Sequence, residues 1–441
     1  MWVYGSNKRT SQARAGLIVS APHVTHLNTR DSFQVSALPH AHIPTGVSAL
    51  MVKNYAQHGT VPREYAIIAG VPFSEIFAQD IAVGMLRRSI MTDQVSHAYL
   101  FLGPEGIGKR TTALAYAKAL NCTDDTARAS GDFCNNCRSC RMITVGNHPD
   151  VRLLTPETTG EKTVISIDAI RTKSGENPTH PLPLREDAQL KPLEGRHKVY
   201  ILDPANRPGL QEDAGNALLL TLEEPPPHVV IILISSRPSA VLSTLVSRCQ
   251  PVRFHLAPHE ATLQALQRCE TLTTEQQQSL AGMADGRIGW ALTVAGNSQI
   301  LETRRLLLEE IDRLLPAGPP AALRLAETLH RLAAISGSAG EEDEDDAKAR
   351  TTSDRAARRN LPGMLDVVAT WWRDLLVDEL GQPEMRINID CAAALDRHRG
   401  RLSPTLLRSG LQTIMQTKRL IERNANIDLA LECMWMAILG E

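Results

Sequence analysis

The stretch "FLGPEGIGKRTT", residues 101–112, is one residue short of the phosphate-cradling pattern G-x-x-x-x-G-K-[ST]. In that pattern backbone N–H groups surround the phosphates, the Lys reaches the outer ones, and the Ser or Thr hydroxyl holds Mg²⁺. Gly103, Gly106, Gly108 and Lys109 supply the loop and its ammonium. Arg110 stands where the hydroxyl belongs, a cation with no oxygen to offer a metal. Thr111 carries a hydroxyl, but one position further along a helix turns it by about 100°. Two readings stay open for such a loop: it binds ATP or ADP without properly held Mg²⁺, or it keeps its shape because the helix start needs that turn.

The acid that such a site requires gives an independent test. The apolar run "HKVYILD" ends at Asp203, where a carboxylate would meet Mg²⁺, and Pro204 follows where a Glu would activate water. Departures at Arg110 and Pro204 strike the same metal-and-water chemistry, so together they argue against efficient hydrolysis.

A second candidate site is built of sulfur. Cys122, Cys134, Cys137 and Cys140 are spaced C-x11-C-x2-C-x2-C. Four thiolates complete a tetrahedral Zn²⁺ and leave no position for water, so the expected role is structural. His148, in "NHPDV", is then expected in packing or a turn. Cys249, Cys269, Cys391 and Cys433 are scattered and read as small core residues.

These residues need a scaffold. "HAYLFLG" reads as a short buried strand, followed by the Gly-rich loop and the helix "RTTALAYAKALNC". "HKVYILD" and "HVVIILISS" are further buried strands, and "GNALLLTLEE" between them is a helix halted by Pro225, Pro226 and Pro227. Buried strands alternating with helices predict a parallel sheet covered on both faces, an α/β phosphate-loop domain. A preceding helix is expected around Ile76, Ile81, Met85, Leu86 and Ile90. The stretch 172–190 contains Pro178, Pro181 and Pro183 and reads as an irregular loop. Beyond residue 257 the pattern is helical throughout, giving expected units at 71–257, 258–298 and 299–441. An acidic tract, "GEEDEDD", predicts a solvated loop over 337–359. Residues 1–70 read as a disordered leader, or as a start placed too early with Met51 as another candidate.

The bulk numbers set limits. A net charge of −2 provides no basic field for independent nucleic-acid binding, and 43% hydrophobic with 22% charged residues is ordinary for a globular protein. There is no apolar run long enough for a transmembrane helix and no pattern of a secretory signal, and the clustered cysteines suit a reducing cytoplasm.

The order "HAYLFLGPEGIGK", the four-cysteine insert, "GNHPDV", "NALLLTLEEPPPHVVIILISS" and "STLVSRCQPVRF" resembles the bacterial DNA polymerase III clamp loaders, of the AAA+ superfamily, from about residue 71 to 441. The degenerate loop and the missing Glu are similar to the delta-prime branch, whereas the tau/gamma branch hydrolyses ATP. The resemblance implies an AAA+ domain, a small helical lid and an all-α collar. It implies tau/gamma and delta subunits as partners, with the sliding clamp and primed DNA met through the assembly. It also assigns Arg248, between Ser247 and Cys249, as an arginine finger reaching a neighbour's nucleotide. Working relatives usually carry an Arg before the "AL" of a lid helix. Here Trp290 holds that place, and Arg287 lies about one turn earlier.

Overall fold

The computed structural model describes residues 71–159, 162–172, 182–206, 209–269, 271–335 and 346–440. The expected leader and residues 173–181 of the expected 172–190 loop lie outside these residues, and the second part of that loop is corrected by a short helix at Leu184–Ala188, which buries Leu184 and Ala188.

Helix α1 (Asp80–Met91) leads into strand β1 (Ala98–Leu102), the Gly-rich loop and helix α2 (Lys109–Asn121). Two short helices follow, α3 (Asp125–Ala129) and α4 (Arg138–Thr144), and then β2 (Val151–Leu154). A polar antiparallel hairpin, β3 (Glu157–Thr159) with β4 (Lys162–Val164), precedes helices α5 (Ile167–Ile170) and α6 (Leu184–Ala188). The sheet resumes with β5 (Lys198–Leu202), α7 (Glu212–Glu223), β6 (Val229–Ser235), α8 (Ser243–Val246) and β7 (Gln250–Arg253). Its five strands run parallel in the order β2-β5-β6-β1-β7.

The period of two along each strand sorts the core into two layers. Tyr99 and Phe101 of β1, Val199 and Ile201 of β5, and Val230, Ile232 and Ile234 of β6 face α1, α2 and the cysteine insert. Leu100, Tyr200, Leu202, Ile231 and Leu233 face α7 and its neighbours. This is the α/β phosphate-loop scaffold predicted from the buried runs. In α1 the buried side chains are Ala82, Val83, Leu86 and Ile90. Leu86 and Ile90 are buried as expected and Met85 is half-buried, whereas Ile81 is 80% exposed and Ala82 and Val83 take the inner face in its place.

Helices α9 (His259–Leu266), α10 (Thr274–Ala284) and α11 (Ile288–Ala295) share a small core of their own. The last core is built from α12 (Ser298–Leu314), α13 (Ala322–Ile335), α14 (Asp346–Glu379), α15 (Ala392–His398), α16 (Pro404–Glu422) and α17 (Ile427–Leu439). Its centre holds Trp371, Trp372 and Trp435, all buried, with Trp372 edge-on to Trp435 at 5.7 Å. A Cβ at Gly410 would come within 2.6 Å of the Trp372 indole nitrogen, so α16 can approach that ring only as glycine. The acidic loop expected over 337–359 is corrected in its second half: from Asp346 the chain is helical, because a 34-residue helix continues through that stretch to Glu379. Cys433 is also corrected, from core to exposed, since it lies on the outer face of α17.

The small helical unit and the last core meet at a polar joint. Asp390 accepts from Ser279 of α10 at 2.7 Å and from Arg304 of α12 at 2.5 and 2.9 Å. Fully buried Asp374 accepts from the backbone N–H of Ile387 and Asn388, fixing the loop that carries Asp390.

Candidate functional site

Parallel strands deliver β1, β5 and β6 to the same edge of the sheet, the edge where α/β folds receive ligands. The Gly-rich loop leaves β1 there, Asp203 leaves β5, and Ser235 and Ser236 end β6. Gly108 adopts φ 97° as it opens α2, and Gly106 adopts φ 73°, a region that side chains disfavour. Gly103, Gly106, Gly108, Lys109 and Thr111 of the loop and its helix start, and Asp203 at the end of β5, thus lie at one edge of the sheet.

What these residues do there differs from a nucleotide cradle. Lys109 folds back and donates to the carbonyls of Gly103 at 2.6 Å and Pro104 at 2.5 Å. Burial holds its ammonium below the ordinary value, against the opposing pull of Asp203 and Glu105. Arg110 Nε donates to Asp203 Oδ2 at 2.5 Å, so a guanidinium satisfies the carboxylate that would otherwise meet Mg²⁺. Pro204 follows through a cis peptide bond and brings no acid. The hydroxyl of this first turn that bonds backbone belongs to Thr112, which donates to Gly108 O at 2.9 Å, while Thr111 is half-buried beside it.

Two further ties hold the loop. Ser236 Oγ donates to Glu105 Oε1 at 2.9 Å, and the Trp290 N–H donates to Gly106 O at 3.0 Å. The second tie seats the start of α11 on the loop: a Cβ at Gly106 would lie 2.9 Å from Trp290 Cβ. Arg287 does not replace the missing lid arginine. Its guanidinium donates to Ala284 O at 2.9 Å and Met283 O at 3.4 Å and packs on the Trp290 ring. Sequence reasoning found Arg110 and Asp203 separately and missed their pairing. Opposite charges at the two positions where a metal's ligands are expected were the available signal.

The four cysteines converge as predicted. Their sulfurs lie within 4.8 Å of one another, with Cys122 to Cys134 at 3.6 Å and Cys122 to Cys137 at 4.0 Å. A tetrahedral ion with Zn–S near 2.3 Å would place its sulfurs about 3.8 Å apart, so the set fits. Cys122 comes from the end of α2, and Cys137 caps α4, whose first turn carries Cys140. Backbone N–H groups of Cys137 and Cys140 point at the sulfurs of Cys134 and Cys137, at 3.3 and 3.4 Å. Burial pushes the Cys122 and Cys140 thiols up. In Cys137 burial opposes ionisation, yet hydrogen bonds from Thr123 and Cys140 prevail and bring it down to about 6. His148 stays out of the set. Its Nδ1 accepts from the Asp150 N–H at 3.1 Å, which leaves Nε2 to donate to Ser139 Oγ at 3.0 Å.

Arg248 lies elsewhere. It precedes β7, which runs parallel to β1 in the register Tyr99 to Gln250 and Leu102 to Arg253. It therefore sits at the sheet edge opposite the phosphate loop. Its guanidinium donates to Glu223 at 2.7 Å, Thr244 O at 3.1 Å and Ser247 Oγ at 3.4 Å, with its side chain 36% exposed. Ser247 turns back to Thr244 O at 3.0 Å. Cys249 is core, its thiol pushed up to about 12 by burial. Of the three, Ser247 is exposed, Arg248 is half-buried with its guanidinium on Glu223, and Cys249 is buried. Glu223, its partner, was not singled out from the sequence, because a Glu before a Pro run reads as a helix end.

A family described as "DNA polymerase III, delta subunit" matches residues 78–258. The DNA polymerase III subunit delta' of Bacillus subtilis is 26% identical over 352 residues, covering 79% of this chain and 92% of that protein. The subunit delta' of Pseudomonas aeruginosa is 34% identical over 223 residues, covering 50% of this chain and 62% of that protein. The subunit tau of Bacillus subtilis is 31% identical over 274 residues, covering 60% of this chain and 45% of that protein. With a phosphate-loop sheet and a helical C-terminal half, these matches support a clamp-loader delta-prime-like protein.

Proposed function

We propose that this clamp-loader component works as a non-hydrolysing subunit that presents Arg248 to the nucleotide of a neighbouring tau/gamma-type ATPase. The observation that carries the reading is the placement of Arg248. It is half-buried just before β7, paired with Glu223 at the sheet edge away from the chain's own loop, a placement that supports a role toward another subunit rather than toward that loop. A planar, permanently charged guanidinium suits charge building on a transferring phosphoryl group. The chain's own loop is occupied by its own side chains, Lys109 on carbonyls and Arg110 on Asp203, which supports the absence of turnover there. The Cys122, Cys134, Cys137 and Cys140 set would hold one structural Zn²⁺ that ties α2 to α4.

The remaining partners in this reading are a delta-type subunit, the sliding clamp and primed DNA engaged by the whole assembly in the cytoplasm. The formal charge of −2 fits contact with DNA through the assembly rather than alone. Among the described residues no helix is long and apolar enough to cross a membrane.

Reconstitution tests the finger. With tau/gamma, delta, clamp and primed DNA present, Arg248→Ala is expected to lower assembly ATPase by ~10³ or more at the site it serves. Unchanged turnover in an intact assembly removes the assignment. The similarity to tau favours one rival, an active ATPase. That rival requires the isolated chain to hydrolyse ATP and Lys109→Ala to abolish it.

A further inference from the structure

Lys118, in the last turn of α2, has a side chain with 0% exposure. An ammonium removed from water costs several kcal/mol unless opposite charge and hydrogen bonds compensate it. Among the described residues no carboxylate forms an ion pair with it. Its nitrogen donates to Asn135 Oδ1 at 2.8 Å and lies 5.2 Å from the centre of the Phe133 ring. An amide oxygen and a ring face are neutral partners. The bond to Asn135, which stands between Cys134 and Cys137, seats the ammonium against the cysteine turn. Four thiolates around a divalent ion carry a net charge of −2, which is itself costly in a site where Cys122 and Cys140 are buried.

We propose that Lys118 is the built-in counter-cation of the four-cysteine centre, so that the buried ammonium and the metal–thiolate cluster each make the other tolerable. This rests on the reading that Zn²⁺ fills the cluster. Asn135 gives the pairing a second effect. It lies between Cys134 and Cys137 at φ 58°, a left-handed conformation that fixes the turn aiming those two sulfurs. By holding the Asn135 side chain, Lys118 braces the turn as well as offsetting its charge. The arrangement also links metal to scaffold, because α2 begins at the phosphate loop and ends at Lys118 and Cys122.

The test uses the full chain, loaded with Zn²⁺ and transferred to excess chromogenic chelator, with thermal unfolding of the loaded and stripped forms. Lys118→Met is expected to release zinc at least tenfold faster than wild type, and Lys118→Arg to stay within about threefold of it. Stripped Lys118→Met should melt above stripped wild type, because it no longer buries an uncompensated cation, while the loaded form melts below. Asn135→Asp tolerates the left-handed turn and supplies a competing carboxylate, so it should also speed release, which keeps the proposal testable should the methionine variant not fold. Equal release rates in wild type, Lys118→Met and Asn135→Asp, each with one zinc per chain, overturn the counter-cation role. Wild-type chain that neither carries nor takes up zinc overturns the zinc reading beneath it.

Discussion

The phosphate loop and the cysteine cluster stand at opposite ends of one helix, α2, and they provide for a cation in opposite ways. At the loop, Arg110 places a guanidinium on Asp203, and the carboxylate is satisfied by the chain itself. At the cluster, four sulfurs converge within 4.8 Å of one another, a donor set that fits a divalent ion. The first arrangement is satisfied by the chain's own charges; the second could hold an ion. A metal site is thus lost by filling it with a covalently attached cation, and kept by leaving its donors converged. Residue chemistry decides between the two more than fold position does.

Breaking the cluster should have the largest effect. Cys140→Ser, or chelation, is expected to lower unfolding free energy by about 4 kcal/mol, since a structural metal contributes directly to folding. Denaturant unfolding with and without zinc measures it, and an unchanged midpoint would erase the contrast between the two ends. Next comes the loop's seat against α11. Gly106→Ala meets Trp290 Cβ at 2.9 Å and carries a side chain at φ 73°, so a loss of about 2 kcal/mol is expected in the same assay.

Arg110→Thr sharpens the comparison by emptying the chain's own cation seat. The pair is partly exposed, so its loss should cost no more than about 1 kcal/mol. Its informative readout is nucleotide: a Mg²⁺-dependent rise in melting temperature with ATP, seen in the variant and not in wild type, identifies Arg110 as the occupant of the metal's place. The smallest effect is predicted for Ser236→Ala, which removes the exposed bond to Glu105 and should cost about 0.5 kcal/mol.

The scaffold was legible where burial was complete. β1, β5 and β6 are apolar on both faces, and their runs announce them. β7, with exposed Gln250 and Pro251, and the polar hairpin 157–164 carry no such signal, because edge and surface strands are held by backbone pairing rather than by an apolar period. The cysteine spacing gave its site outright, since metal geometry is local. The loop's fate was half legible: the missing oxygen at Arg110 is a sequence fact, whereas its bond to Asp203, 93 positions away, is a product of strand order. Glu223 beside Arg248 is of the same kind, two surface charges that the fold alone brings to 2.7 Å.

The Asp390 joint has a mechanical consequence. Trp290 ties the small helical unit to the phosphate loop, and Ser279 and Arg304 tie the same unit through Asp390 to the tryptophan-centred helices. The two contacts stand in series. A torque applied to the C-terminal helices would then pass through both on its way to the phosphate loop.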